Sequence, residues 1–296
     1  MRRVKSLAVI GVGLIGGSFA LALRRAGMAT KVVGFDRDRG SLETAAALGV
    51  IDTAAESVTE AVKGADLVVI AVPVRSVGPV LHDVALAMDA DAVVTDVGST
   101  KAEVVQVARD ELRERFPRFV PGHPIAGREA SGVEAAFVDL FRGARVVLTP
   151  QGETAADAID VVRAAWEAVG ARVTTADAAE HDRIFAAVSH LPHLLSFALV
   201  SEIASRDNAA DLLGFAGGGF RDFTRIAASS PQMWRDIALQ NRAALLAELD
   251  RYGARLAVFR ELVEKGDGNG LERLMTEARN VRNAWGAGAR RPPSGE

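Results

Sequence analysis

The chain alternates between short unbroken apolar runs and longer stretches of helical periodicity. Leu7-Ala8-Val9-Ile10 is the first apolar run, and a helix-like pattern over 18–25 follows it. The same alternation recurs through the first half. Apolar runs at 31–35, 66–72, 92–96, 119–122, 144–149 and 171–175 predict strands, and continuous runs of this kind fit strands buried on both faces. Between them, helices are predicted over 41–48, 57–63, 77–88, 99–116 and 154–169, with Ser99 or Thr100 as N-cap of the fourth. Strands alternating with helices imply an α/β fold, a doubly wound parallel sheet of Rossmann type. From about residue 178 the strand signals stop. Helical periodicity covers 178–206, 209–215, 231–264 and 270–285, and Ser230-Pro231 is a start signal for the third. The expected organisation is therefore a first domain over 1–176, a second, all-helical domain over 177–289, and a Pro/Gly/Ser-rich disordered tail over 290–296.

The turn between the first strand and first helix is Gly11-Val12-Gly13-Leu14-Ile15-Gly16. Gly11 allows the tight turn, Gly13 a close approach of backbone to a pyrophosphate, and Gly16 the packing of helix on strand. The helix N-terminus then presents free N–H groups and a positive dipole to the phosphates. The second strand ends at Asp36, 20 residues past Gly16, where an acid holds the ribose 2′-hydroxyl of NAD. Asp36 would repel a 2′-phosphate, which favours NAD; Arg37 beside it could pair with that phosphate, so NADP stays open. The expected cofactor site is Gly11, Gly13, Leu14, Ile15, Gly16, Asp36, Arg37, Val72, Pro73 and Ser76. The first domain is accordingly expected to bind a dinucleotide.

Composition narrows the partners. Hydrophobic residues make up 49% and charged residues 25%, with a formal net charge of -3, which points to a globular protein with no nucleic-acid or anionic-membrane partner. Cysteine is absent, which excludes disulfides, thiolate catalysis and zinc–cysteine sites and agrees with a reducing, cytoplasmic setting. The basic N-terminus leads into the first strand rather than a signal peptide. No segment is expected to reach the apolar length that spans a bilayer.

Ligands of doubly wound sheets bind beyond the carboxyl ends of the strands, so 11–16, 73–76, 97–101 and 123–127 should line one cleft facing the helical domain. Ser99, in Asp96-Val97-Gly98-Ser99-Thr100-Lys101, suits either a helix cap or a catalytic hydroxyl. His123, in a Gly-His-Pro turn at a strand end, is placed to act as a base. In Ser189-His190-Leu191-Pro192-His193, Pro192 should break or kink the helix. His190 and His193 can share one face at i, i+3 spacing. Without a third ligand they suit a substrate pocket and no metal. Gly217-Gly218-Gly219-Phe220-Arg221-Asp222-Phe223-Thr224-Arg225 is a glycine-rich loop running into a basic, aromatic segment. Arg221 and Arg225 could bind carboxylates or be solvated charges.

Taken in order over roughly 5–285, these motifs resemble the prephenate/arogenate dehydrogenases of tyrosine biosynthesis. The two histidine motifs and the Gly217–Ala227 run are far more specific than the glycine fingerprint. The resemblance implies an NAD- or NADP-dependent dehydrogenase acting on a CH–CH donor with decarboxylation. It oxidises prephenate to 4-hydroxyphenylpyruvate, or L-arogenate to L-tyrosine. It implies that His123 takes the ring hydroxyl proton, that Ser99 positions it, and that Arg225 binds a substrate carboxylate. His193 lines the pocket with support from His190 and Trp234, and Arg128 lies where the keto acid's carboxylate could be favoured. It also implies a homodimer through the helical domain. No regulatory domain or fused chorismate mutase is evident, so tyrosine inhibition, if any, is expected at the active site.

Two other readings stay open. A hydroxy-acid or imine dehydrogenase of the β-hydroxyacid type would use a lysine on the helix that opens the second domain, and 178–197 contains none. A non-catalytic dimer sensing NADH would need no base, and would bind NADH without turnover.

Overall fold

The structure, a computed structural model, describes residues 4–128 and 130–289. Strand β1 (Ser6–Ile10) pairs in parallel with β2 (Lys31–Phe35) and β4 (Leu67–Ile70). With β3 (Thr53–Ala54), β5 (Val93–Asp96) and β6 (Phe119–Val120) they form a six-stranded parallel sheet of order β3-β2-β1-β4-β5-β6. Side chains of β1 alternate between two cores. Leu7 and Val9 join Phe19 of α1 (Leu14–Arg25) and Trp166 of α6 (Ala156–Ala168) on one face. Ala8 and Ile10 join Val58 of α3 (Val58–Val62), Leu81 of α4 (Val77–Ala87) and Val104 of α5 (Ala102–Leu112) on the other. Helices on both faces explain why the strands read as unbroken apolar runs. Helix α2 (Arg39–Ala47) follows β2.

The run expected as one strand over 119–122 is two. The chain leaves the main sheet at Pro121, which has no N–H to continue the ladder. It then enters β7 (Gly122–Ile125), which pairs antiparallel with β8 (Arg145–Leu148); β9 (Arg172–Thr175) completes this separate three-stranded sheet. Gly122 N–H donates to Asp96 Oδ1 at 3.1 Å, anchoring β7 beside the end of β5.

Strands end at Thr175, and helices follow: α7 (Ala178–Phe185), a π-turn over Ala186–His190, and α8 (Leu191–Ala204). Pro192 does not break this run. It falls in the first turn of α8, directly after the wide π-turn. The stretch Ala178–Ala204 is therefore one helical run, long and apolar enough by length and composition to cross a membrane. This corrects the expectation that no segment approaches that length.

Next come α9 (Ala209–Gly214) and α10 (Gly218–Thr224), which is helical from its second glycine where a loop was expected, and a 3₁₀ turn over Arg225–Ala228. Helix α11 (Pro231–Gln240) is capped by Ser230 as its sequence suggests. The helix expected over 231–264 breaks at Asn241, after which α12 (Arg242–Lys265) begins.

The chain packs as two compact units that divide between Leu245 and Leu246. The second unit holds most of α12 together with α13 (Gly268–Ala289). Leu256, Val263, Met275, Val281 and Trp285 are exposed on it. The tail over 290–296 lies outside the described residues.

Candidate active site

The glycine turn is shaped by contacts that leave no room for side chains. Gly11 has φ +98°, and a Cβ there would collide with the Ala71 carbonyl; a Cβ on Gly16 would collide with the Gly11 carbonyl. Gly13 faces open space. It is the N-cap residue of α1, which has no side-chain cap, so the first N–H groups of that helix lack intrahelical partners. Asp36 Oδ2 accepts from Val12 N–H at 3.0 Å and binds the end of β2 to the turn. Val72 borders Gly11, and Pro73 and Ser76 lie in the turn after β4. Arg37 is exposed beside Asp36. An open backbone cradle, an uncapped helix and an acid at the second strand's end fit a dinucleotide.

The turn after β5 lies at the same edge of the sheet. Asp96 and Lys101 form a fully buried ion pair, and Lys101 Nζ also donates to the Gly122 carbonyl at 2.8 Å. The N-cap expected from Ser99 or Thr100 comes from elsewhere. Thr100 Oγ1 donates to Gln240 Oε1 at 2.6 Å. Asp182, on α7, caps α5 instead: its carboxylate accepts from Lys101 N–H at 2.8 Å and Ala102 N–H at 2.9 Å. Ser99 is half-buried and makes no hydrogen bond to His123 among the described residues.

His123 is instead held by a second histidine. His123 Nδ1 lies 2.8 Å from His181 Nε2, and His181 Nδ1 lies 2.8 Å from Asp182 Oδ1. Phe185 packs edge-on against the His123 ring at 4.7 Å. Burial pushes His123 well below the ordinary imidazole value, and the cationic forms of His181, Lys101 and His190 push the same way. Burial would raise the Asp182 carboxyl, but the hydrogen bonds from His181 and the Ala102 and Lys101 amides outweigh it and hold it below the usual range. No sequence motif marks His181 and Asp182. The available signal was arithmetic: four of the chain's five histidines fall between residues 123 and 193.

A third group forms the wall. The His193 ring stacks on Trp234 at 3.6 Å, and His190 meets Trp234 edge-on at 6.1 Å. Asn241, at the break between α11 and α12, donates through Nδ2 to the Asp182 carbonyl at 2.7 Å and to His190 Nδ1 at 3.0 Å. His190 is lowered to about 4, first by burial. His193 is lowered by burial and by the charge of Arg225, against the Ser189 carbonyl. A cavity of about 210 Å³ is lined by His190, Leu194, Phe197, Trp234, Ala238 and Leu245. His190 Nε2 and Trp234 Nε1 are buried without an acceptor. Arg128 is not drawn into this group by any described contact; its guanidinium lies 4.1 Å over the Phe137 ring. Glu129 lies outside the described residues. No group of three side chains that could hold a metal ion occurs among the described residues.

A parallel sheet with a dinucleotide cradle at its carboxyl edge, beside a held histidine, defines a nucleotide-dependent dehydrogenase. Residues 19–175 match the family model for the prephenate dehydrogenase nucleotide-binding domain, and 177–277 match that for the prephenate dehydrogenase dimerization domain. The chain is 36% identical over 282 residues to the cyclohexadienyl dehydrogenase of Zymomonas mobilis, covering 95% of this chain and 96% of that one. It is 38% identical over 280 residues to the prephenate dehydrogenase of Bacillus subtilis, covering 94% and 75%. The crystal structure of prephenate dehydrogenase from Aquifex aeolicus in complex with hydroxyphenyl propionate and NAD+ superposes with a TM-score of 0.88 at 37% identity, covering 96% and 99%. The chain belongs to the prephenate dehydrogenase family and is an oxidoreductase.

Proposed function

We propose that this protein oxidises prephenate, L-arogenate or both in tyrosine biosynthesis, with His123 as the general base. The observation that carries the assignment of the base is the anchoring of His123 through Nδ1 while Nε2 makes no hydrogen bond among the described residues. The Gly11–Gly16 turn and Asp36 would hold NAD, which would supply the acceptor for the hydride on the ring carbon bearing the hydroxyl. His123 Nε2 takes the hydroxyl proton as the hydride departs, carbon dioxide leaves from the opposite carbon so that its bonding pair makes the ring aromatic, and the resulting phenolate oxygen takes a proton back to give the phenol. Help of this kind is worth about two to four orders of magnitude.

The substrate carries carboxylates, and a buried carboxylate needs a cation or donors. Arg225 supplies the charge beside His193. The acceptor-less N–H groups of His190 and Trp234 suit a ligand rich in oxygen, since unpaired buried donors are costly. Ser99 supplies a hydroxyl at the turn after β5, and Arg128, whose guanidinium lies over Phe137, is assigned the preference between the two substrate side chains. Asp36 favours NAD over NADP. The exposed apolar residues of α12 and α13 and the match to a dimerization domain support a homodimer, with those residues covered by the second copy rather than by lipid. A cytoplasmic location belongs to this reading, as does the absence of nucleic-acid and membrane partners.

The test is initial rates of reduced-cofactor formation with prephenate and with L-arogenate, each against NAD and NADP. Turnover with either substrate is expected, and faster with NAD. Protein that binds NADH and turns over none of the four pairs would overturn the reading.

A further inference from the structure

The chain of bonds behind His123 settles more than its position. The carboxylate of Asp182 can only accept, so at 2.8 Å it takes the Nδ1–H of His181. A neutral His181 then has a bare Nε2, and a bare nitrogen 2.8 Å from His123 Nδ1 must accept a hydrogen bond from its N–H. His123 therefore carries its proton on Nδ1 and keeps its lone pair on Nε2.

The alternative is a doubly protonated His181, which would donate to His123 Nδ1 and force the proton onto Nε2. The surroundings oppose it. His181 is fully buried. The one carboxylate it touches already accepts two helix N–H groups. The buried Lys101 cation lies in the same network through its own amide and its ion pair with Asp96. His190, the other imidazole near Asp182, is kept neutral with its Nδ1 accepting from Asn241.

We infer that His181, oriented by Asp182, is a positioning residue that accepts the Nδ1–H of His123 and thereby leaves Nε2 bare to act as the base. This inference rests on the reading of His123 as the base. When the substrate O–H bond breaks and the new N–H bond forms at His123 Nε2, the ring becomes an imidazolium. Its Nδ1–H then points at His181 Nε2, whose other nitrogen points at the Asp182 carboxylate. The positive charge is stabilised along that line with no change in the number of protons. A wrong tautomer behind a catalytic histidine can cost about 10⁴-fold in kcat in enzymes that use such a chain.

The protein's five histidines make the tautomers directly readable. In the whole protein labelled with 15N-histidine, long-range 1H–15N spectra should show His123 and His181 both protonated at Nδ1 and bare at Nε2, assigned from His123→Asn and His181→Gln. Wild-type His123 protonated at Nε2 would overturn the inference. The His181→Phe variant should lose about 10²–10⁴-fold in kcat, with substrate KM and NADH affinity within about twofold. The His181→Gln variant, whose carbonyl can still accept from His123 and whose amide can still donate to Asp182, should recover to within about tenfold of wild type. If His181→Phe fails to fold, the His181→Gln rate and the wild-type spectrum still decide. A fall in His181→Gln as deep as in His181→Phe, or no fall in either, would overturn the inference. Near-normal turnover in His123→Asn would instead overturn the base assignment, and the wild-type tautomer does not depend on that result.

Discussion

The two halves of the proposed site are built by opposite means. The cofactor half is backbone: three glycines within six residues, an uncapped helix and an acid at the next strand end. The substrate half is side chains brought from β7, α7, the π-turn, α8, α11 and the residue before α12. In the first, shape follows from what is missing at each position. In the second, each group is held by another many residues away, so the loss of one partner is felt at the next. The first half should fail one contact at a time, and the second as a network.

The largest expected effect tests the substrate half. His123→Asn should lower kcat by about 10²–10⁴-fold and leave NADH affinity intact, read by initial rates and fluorescence titration. Because burial depresses His123, the wild-type kcat/KM should hold steady as pH falls through the ordinary histidine range and drop only below it. A drop near pH 6.5 would mean that the group limiting the rate is more exposed than His123 is here.

His190 gives the second test. Its folded value of about 4 lies below the unfolded value near 6.5. The unfolded chain therefore binds more protons between those limits. Stability from keeping His190 neutral is fully present above pH 6.5 and is lost as pH falls toward 4, a total of about 3 kcal/mol. Thermal melts across that window should fall more steeply for wild type than for His190→Gln. Parallel curves would show that the ring is not sealed in.

The glycines sharpen the contrast. A methyl on Gly16 meets the Gly11 carbonyl, while a methyl on Gly13 meets nothing within 4 Å. Gly16→Ala should lower stability by about 1–3 kcal/mol as well as weaken NAD. Gly13→Ala should melt like wild type yet bind NAD about tenfold more weakly, because the space it fills is the ligand's. Loss of fold in Gly13→Ala would remove the backbone-cradle account. On the other side, Arg225→Gln should raise substrate KM about tenfold with kcat little changed; an unchanged KM would end its carboxylate role.

These differences also explain what could be read from the sequence. The strand runs, the glycine turn and Asp36 were legible because the forces that shape them act over a few neighbouring residues. So was His123, singled out by its Gly-His-Pro setting, although the structure places that segment within β7 and not in the turn expected of it. The branch to a second sheet at Pro121 was not, since strand periodicity carries no pairing partner. His181 and Asp182 were invisible for the same reason: within Glu180-His181-Asp182-Arg183 they look like the polar face of an ordinary helix. Only the fold shows that α5 is capped from 80 residues away.

That cap offers the smallest and sharpest contrast. Helix α3 has a local one: Ser57 Oγ accepts from Glu60 N–H at 3.1 Å, in a Ser-x-x-Glu pattern that reads directly from sequence. Asp182 performs the same service for α5, but its carboxylate also holds His181. Ser57→Ala should cost about 1 kcal/mol and leave kcat alone, because nothing in the site leans on that bond. Asp182→Ala should cost more, about 2–3 kcal/mol, since it removes the same kind of cap and leaves a buried histidine N–H without an acceptor. It should also slow turnover. Chemical denaturation and kcat measured on both variants separate the cases. Were Asp182→Ala no more costly than Ser57→Ala and fully active, the substrate half would be a set of independent contacts, as local in its energetics as the glycine turn is in its sequence.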